Sequence, residues 1–226
     1  MAKAKAVGGV VDTSTRVPVV RALDNINFHL KEGDRLGLIG ANGAGKTTLI
    51  RVLADIYTPT SGEVTRQGSL VPMFDINIGF DGESTGYENI FMRGIMAGRS
   101  KKSIADSMEE IAEFSGLGEY LDLPIRTYSS GMLLRLMFSI ATNVSGNIVL
   151  MDEWIAVGDA DFREKANVRL RQITANAGIL VLASHDLGIL RQLCNLGMRL
   201  ESGKVKSFGP IEQVLAEKKQ VVAEKK

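Results

Sequence analysis

Hydrophobic and polar positions alternate in a strand-like way through residues 19–40, ending in the apolar run Arg35-Leu36-Gly37-Leu38-Ile39, which suits a buried strand. A helical pattern follows at Thr48-Leu49-Ile50-Arg51-Val52-Leu53-Ala54. Thr58-Pro59-Thr60-Ser61-Gly62 predicts a turn leading into a strand at Glu63-Val64-Thr65-Arg66. Residues 84–145 are dominated by helical periodicity, with Ile104, Met108, Ile111, Ala112 and Phe114 on one face. The period then changes. Asn147-Ile148-Val149-Leu150-Met151 and Gly178-Ile179-Leu180-Val181-Leu182-Ala183 are continuous apolar runs, typical of parallel strands covered on both faces. Helical sequence lies between them at about 159–176, and a last helix is predicted near Ile211–Lys219. Strands alternating with helices indicate an α/β core, with the 84–145 block as a helical insertion. No repeat, low-complexity tract or linker divides the chain, so residues 1–226 read as one domain.

Composition narrows the class. The chain has 226 residues, 45% of them hydrophobic and 23% charged, and can bury a substantial core. A formal net charge of +1 calls for no nucleic-acid partner. A single cysteine, Cys194, excludes an internal disulfide and fits a reducing compartment; its apolar, helical surroundings predict a buried structural thiol. No stretch approaches the roughly 18–20 apolar residues of a membrane-spanning helix. The lysines at positions 3, 5, 218, 219, 225 and 226 read as solvated tails.

Candidate chemistry begins between the first buried strand and its helix. Gly40-Ala41-Asn42-Gly43-Ala44-Gly45-Lys46-Thr47-Thr48 fits the phosphate-cradling pattern Gly-x-x-x-x-Gly-Lys-[Ser/Thr], in the strand–loop–helix context that makes it a physical site. Glycines let backbone N–H groups converge on anionic oxygens, and the helix N-terminus adds partial positive charge. Gly40, Asn42, Gly43, Gly45, Lys46, Thr47 and Thr48 form this cradle; Lys46 is expected at the β- and γ-phosphates and the Thr47 hydroxyl on Mg²⁺. The apolar strand Ile148–Met151 carries Asp152 to its carboxyl end, where it can hold Mg²⁺ directly or through water. Glu153 points differently and suits polarising a water for in-line attack on the γ-phosphate. Past the next apolar strand, His185 is placed to contact the γ-phosphate. Finally, Ser129-Ser130-Gly131 opens an amphipathic helix. It reads either as a simple N-cap or as a second anion site serving a partner molecule's nucleotide.

These motifs, in this order, resemble the nucleotide-binding domain of ATP-binding-cassette (ABC) proteins over roughly residues 18–215. Gly40–Thr48 corresponds to Walker A, Ile148–Asp152 to Walker B, Glu153 to the catalytic glutamate and Ser129-Ser130-Gly131-Met132 to the family signature. Ala156-Val157-Gly158-Asp159 stands at the D-loop and His185 at the switch histidine. The resemblance implies a P-loop NTPase core with a mostly parallel sheet, an N-terminal antiparallel β subdomain and a helical subdomain inserted at about 84–145. It also implies ATP and Mg²⁺ as ligands, and a homodimer that sandwiches two nucleotides. Asp159 joins the nucleotide contacts on the same grounds.

More narrowly, Tyr128–Met132, Asp152–Phe162 and Thr85-Gly86-Tyr87-Glu88-Asn89-Ile90 resemble the ATPase subunits of lipid-linked polysaccharide exporters: O-antigen, capsule and teichoic-acid systems. That branch implies work at the cytoplasmic face of the bacterial inner membrane with two copies of an integral permease, docked on the surface of residues 75–100. An end at Lys226 leaves no room for the carbohydrate-binding domain that some O-antigen exporters append, which leans towards glycans without a terminal tag. Alternatives are another ABC transporter type or a soluble ABC-type ATPase, though a chromosome-tethering head would need a heptad tract that is missing here. The sequence departs from the family pattern in three places. The usual Gln between lobes is missing, with Asp75 the best polar substitute and a possible Mg²⁺ or water contact. Met132 replaces the signature's second Gly and Tyr128 its first residue. No aromatic residue precedes Phe28 to stack on adenine.

Overall fold

A computed structural model describes residues 10–12, 19–74, 76, 78–143, 146–153 and 160–223. The chain divides into two compact units. One comprises residues 1–74, 146–154 and 177–226, the other 75–145 and 155–176.

The first unit is organised by a six-stranded sheet of β3 (Arg35–Ile39), β4 (Leu70–Met73), β5 (Ile148–Asp152), β6 (Ile179–Ala183), β7 (Leu196–Glu201) and β8 (Lys204–Pro210). Their order is β4-β5-β6-β3-β7-β8, parallel from β4 to β7, with β8 antiparallel at the edge. Within β5, Ile148–Met151 is buried throughout, and so is Leu180–Ala183 in β6, which is why both read as unbroken apolar runs. Leu36, Leu38, Leu150, Val181, Ala183, Met198 and Leu200 form the core with Leu49 and Ile50 of α1 (Lys46–Leu53). Helices α6 (Leu187–Leu193) and α7 (Ile211–Ala223) complete the unit. A separate antiparallel pair, β1 (Val10–Asp12) and β2 (Val19–Arg21), precedes the main sheet.

Several local expectations fail for identifiable reasons. Glu63–Arg66 is not a strand; Glu63, Thr65 and Arg66 are exposed, and among the described residues no strand pairs with them. The alternation at 22–34 produces burial without pairing: Leu23, Ile26, Phe28 and Leu30 pack on the core, yet these residues form no strand. Antiparallel strand pairing within the sheets is therefore limited, among the described residues, to β1–β2 and to β8 on β7. Strand β4 was hidden by Pro72, which has no N–H to donate and is exposed on the sheet's outer strand, the place where proline is tolerated. Cys194 is buried as expected, but as the residue capping the C-terminus of α6 rather than within a helix.

The second unit is helical: α2 (Gly86–Met96), α3 (Lys101–Ser115), α4 (Ser130–Thr142) and α5 (Ala160–Asn176), with short 3-10 turns at Gly118–Asp122 and Ile125–Thr127. Thr85 and Glu88 form a reciprocal capping box on α2, and Ser100 caps α3, so each helix starts on a residue that satisfies its free N–H groups. Ile90, Ile111, Leu117, Leu121, Ile125, Leu136 and Ile140 make the core. Helix α5 joins through Phe162, whose ring meets Phe114 and Phe138 edge-on at 5.7 and 5.9 Å, and through the Arg169–Glu110 ion pair at 2.8 Å.

Candidate nucleotide-binding site

Strands β5, β6 and β3 are neighbours and parallel, so the residues that follow each of them share the carboxyl edge of the sheet. In open α/β sheets that edge is where ligands bind. After β3 the chain enters Gly40–Gly45 and turns directly into α1 at Lys46. Gly45 occupies the N-cap position with φ 107°, a left-handed conformation that costs glycine nothing. At Gly40 the constraint is space: a Cβ would lie 2.7 Å from the Leu200 carbonyl oxygen and 2.9 Å from Ala44 Cβ. Lys46 is only 7% exposed, and its Nζ donates to the carbonyl oxygens of Gly40 (2.9 Å) and Ala41 (3.2 Å). A lysine held against a glycine-rich loop at a helix N-terminus makes an anion site. Asn42, Gly43 and Thr47 are exposed on this loop, and Thr48 is half-buried.

Asp152 is the last residue of β5, in register with Ala183 of β6, and is half-buried. Glu153 follows with φ 84°, a strained backbone conformation for a residue with a side chain. Neighbouring groups hold it there. Its N–H donates to Ala183 O (2.9 Å), its Oε2 accepts from Ser184 Oγ (3.2 Å), and its Oε1 accepts from the His185 backbone N–H (3.2 Å). His185 Nε2 lies 3.7 Å from Glu153 Oε1, and both side chains remain about half-exposed, facing solvent. The carboxylate and imidazole predicted separately are thus neighbours. Ser184, 3% exposed, had no role assigned from sequence; it also accepts from Asp186 N–H (3.1 Å), fixing the turn that presents His185. Asp186 in turn caps α6, accepting from the N–H groups of Gly188 and Ile189.

Asp152 and Thr47 offer hard oxygen donors of the kind Mg²⁺ takes while keeping several waters, so they fit that ion. Asp75 and Asp159, the remaining acidic candidates, lie outside the described residues, as does the rest of the segment 154–159.

In the helical unit, Ser129 is the N-cap of α4; its Oγ accepts from Met132 N–H at 3.3 Å. Ser129 and Ser130 are exposed, and a Cβ on Gly131 would meet nothing nearer than Ser129 Oγ at 3.9 Å. Tyr128, one residue earlier, is half-buried, and burial pushes its phenol above the usual tyrosine range.

Parallel-sheet topology, a glycine loop gripping a buried lysine, and acids at adjacent strand ends define a P-loop nucleotide-binding domain. A family model described as ABC transporter matches residues 23–156, and the chain belongs to that family. It is 48% identical over 201 residues to the O-antigen export system ATP-binding protein RfbE of Yersinia enterocolitica, covering 88% of this chain and 84% of the relative. Over 205 residues it is 38% identical to the O-antigen export system ATP-binding protein RfbB of Myxococcus xanthus; this covers 91% of the chain but 47% of that longer protein. Among solved structures, a dimeric ATP-binding cassette in a post-hydrolysis state, bound to ADP and Pi, superposes with a TM-score of 0.68. It shares 20% identity, and the match covers 89% of this chain and 95% of that one. Among the described residues, no helix is long and apolar enough to cross a membrane.

Proposed function

We propose that this chain is the ATP-hydrolysing subunit of an exporter of lipid-linked polysaccharide, working as a homodimer on two copies of a membrane permease. The observation that carries the export reading is the 48% identity, across most of both chains, to an O-antigen export ATP-binding protein. The chemistry rests on the cradle at Gly40–Thr48 and the Glu153–His185 pair lying at the same carboxyl edge of the sheet.

In this reading, the backbone amides of Gly40–Gly45 and the Lys46 ammonium bind the β- and γ-phosphates, with Lys46 leaving two carbonyls for phosphate oxygens. Thr47 and Asp152 hold Mg²⁺, which when bound neutralises phosphate charge. Glu153, pinned by Ser184 and the His185 N–H, orients and polarises the attacking water, and the His185 imidazole steadies the γ-phosphate. Ser129, Ser130 and Gly131 of a second copy close over the same γ-phosphate, using the free N–H groups of α4. Hydrolysis removes that bridge and the pair loosens, giving the two-state movement a permease can use. Docking falls on residues 75–100, where Tyr87, Phe91 and Ile95 recur along the outer face of α2. A shallow groove of about 410 Å³ there is lined by Ser84, Tyr87, Glu88, Phe91 and Met92. Such a dock places the chain peripherally on the cytoplasmic face of the inner membrane.

Glu153→Gln tests the site: ATP affinity is expected to hold while turnover disappears and an ATP-bound dimer accumulates. Normal turnover refutes the role of Glu153. Deleting the gene tests the cargo: lipid-linked glycan is expected to build up inside the cell, and unchanged surface polysaccharide refutes the export reading.

A further inference from the structure

Two loops of the helical unit, about 40 residues apart in sequence, are stitched together directly ahead of α2 and α4. Ile125 N–H donates to Ser84 O (3.0 Å), Arg126 N–H to Gly82 O (3.0 Å), and Thr85 and Pro124 form an antiparallel bridge. Arg126 Nε reaches Glu83 Oε2 at 3.0 Å. Asn89, fully buried on α2, braces the first loop by accepting from Asp81 N–H and donating to the carbonyls of Asp81, Ser84 and Thr85.

Tyr128 closes the stitching. Its hydroxyl donates to Tyr120 O at 2.6 Å, and its ring meets Tyr120 edge-on at 6.5 Å. That hydroxyl also lies 2.6 Å from where a Cβ on Gly86 would stand, with Leu121 Cδ2 at 2.7 Å and its Cα at 3.0 Å, so Tyr128 and Leu121 together leave the first residue of α2 no room for a side chain. Gly86 opens the helix that carries Tyr87, Phe91 and Ile95 outward; Tyr128 immediately precedes Ser129, Ser130 and Gly131. Close-packed groups transmit displacement because they have no slack.

We propose that Tyr128 is a positioning residue that ties the N-terminus of α4 to α2, so that load on the outer face of α2 changes how well Ser129–Gly131 engages a nucleotide. Tyr128 itself touches no substrate. The inference rests on the reading of Ser129–Gly131 as the second copy's anion site and of α2 as the permease dock.

Tyr128→Phe keeps the ring and removes the hydroxyl, and with it the bond to Tyr120 O and the close approach to Gly86. In the complex with its membrane subunits, that loss is expected to reduce subunit-stimulated ATP turnover about fivefold, the population change that one net hydrogen bond represents. ATP affinity of the isolated chain, read with a fluorescent ATP analogue, is expected to stay within about twofold. A purely structural role predicts the opposite: a lower melting temperature with stimulation per folded molecule unchanged, a result that overturns the proposal. Tyr128→Leu, which also removes the ring, is expected to deepen the loss of stimulation; full stimulation in this variant overturns it too. Ser130→Ala separates the two readings. If it is impaired while Tyr128→Phe is normal, the positioning role is wrong. If both are normal, the anion-site reading is wrong and this inference falls with it.

Discussion

Replacing Glu153 by glycine and by alanine separates what the residue does for catalysis from what it costs the fold. At φ 84° a side chain costs about 1–2 kcal/mol that glycine does not. The carboxylate bonds to Ser184 Oγ and His185 N–H are both 3.2 Å and belong to a half-exposed group, so together they return only about 1 kcal/mol. Glycine adds an entropic penalty of roughly 0.5–1 kcal/mol. These terms nearly cancel, so Glu153→Gly is expected to melt within about 3 °C of the parent, at the ~2–4 °C per kcal/mol of a chain this size. Glu153→Ala loses the same bonds but keeps the strain, so it is expected to melt below the glycine variant, reversing the usual order of the two residues. Both are expected to lose ATP turnover by about 10²-fold or more. Calorimetric melting and a phosphate-release assay read the two effects independently. An alanine variant at least as stable as the glycine variant refutes the strain argument, and turnover within tenfold of the parent refutes the catalytic one.

Burial pushes the Cys194 thiol up to about 12. The folded state therefore holds the thiol proton more tightly than the unfolded state, so its stabilising effect is complete below about pH 9 and is lost between roughly pH 9 and 12. Urea melts across that range should show a shallower decline for Cys194→Ala than for the parent, and a native-state maleimide should leave Cys194 unmodified at pH 8. Asn89→Ala removes a fully buried amide and four hydrogen bonds, and should cost about 2–3 kcal/mol, visible as a melting point lower by roughly 5–10 °C.

The sequence was most readable where one physical demand determines the residues. Ile148–Met151 and Leu180–Ala183 are covered on both faces, so no polar residue interrupts them, and the acids that follow mark where the cover ends. The glycine loop is readable because backbone approach to an anion leaves few alternatives at Gly40 and Gly45. Alternation misleads at Ile26, Phe28 and Leu30 because it reports burial on one side, and burial needs no ladder partner. Glu63–Arg66 has strand-forming residues with no pairing strand among the described residues, while Leu70–Met73 pairs despite its proline because an edge strand needs donors on only one side. Ser184 and Tyr128 were opaque for another reason. Each acts through a contact with a residue distant in sequence, Glu153 in one case and Gly86 in the other, and no local pattern records such a contact.

Pro72 has a consequence for assembly as well as for strand pairing. An open sheet offers two rows of unpaired backbone groups to any passing strand. Here one outer strand lacks a donor at Pro72, and the other carries Lys204 and Lys206 before ending at Pro210. Both rims thus discourage a second molecule from adding to the sheet. The proposed homodimer would then form through nucleotide-bridged surfaces and not by sheet extension, and its association would be reversible on the timescale of turnover.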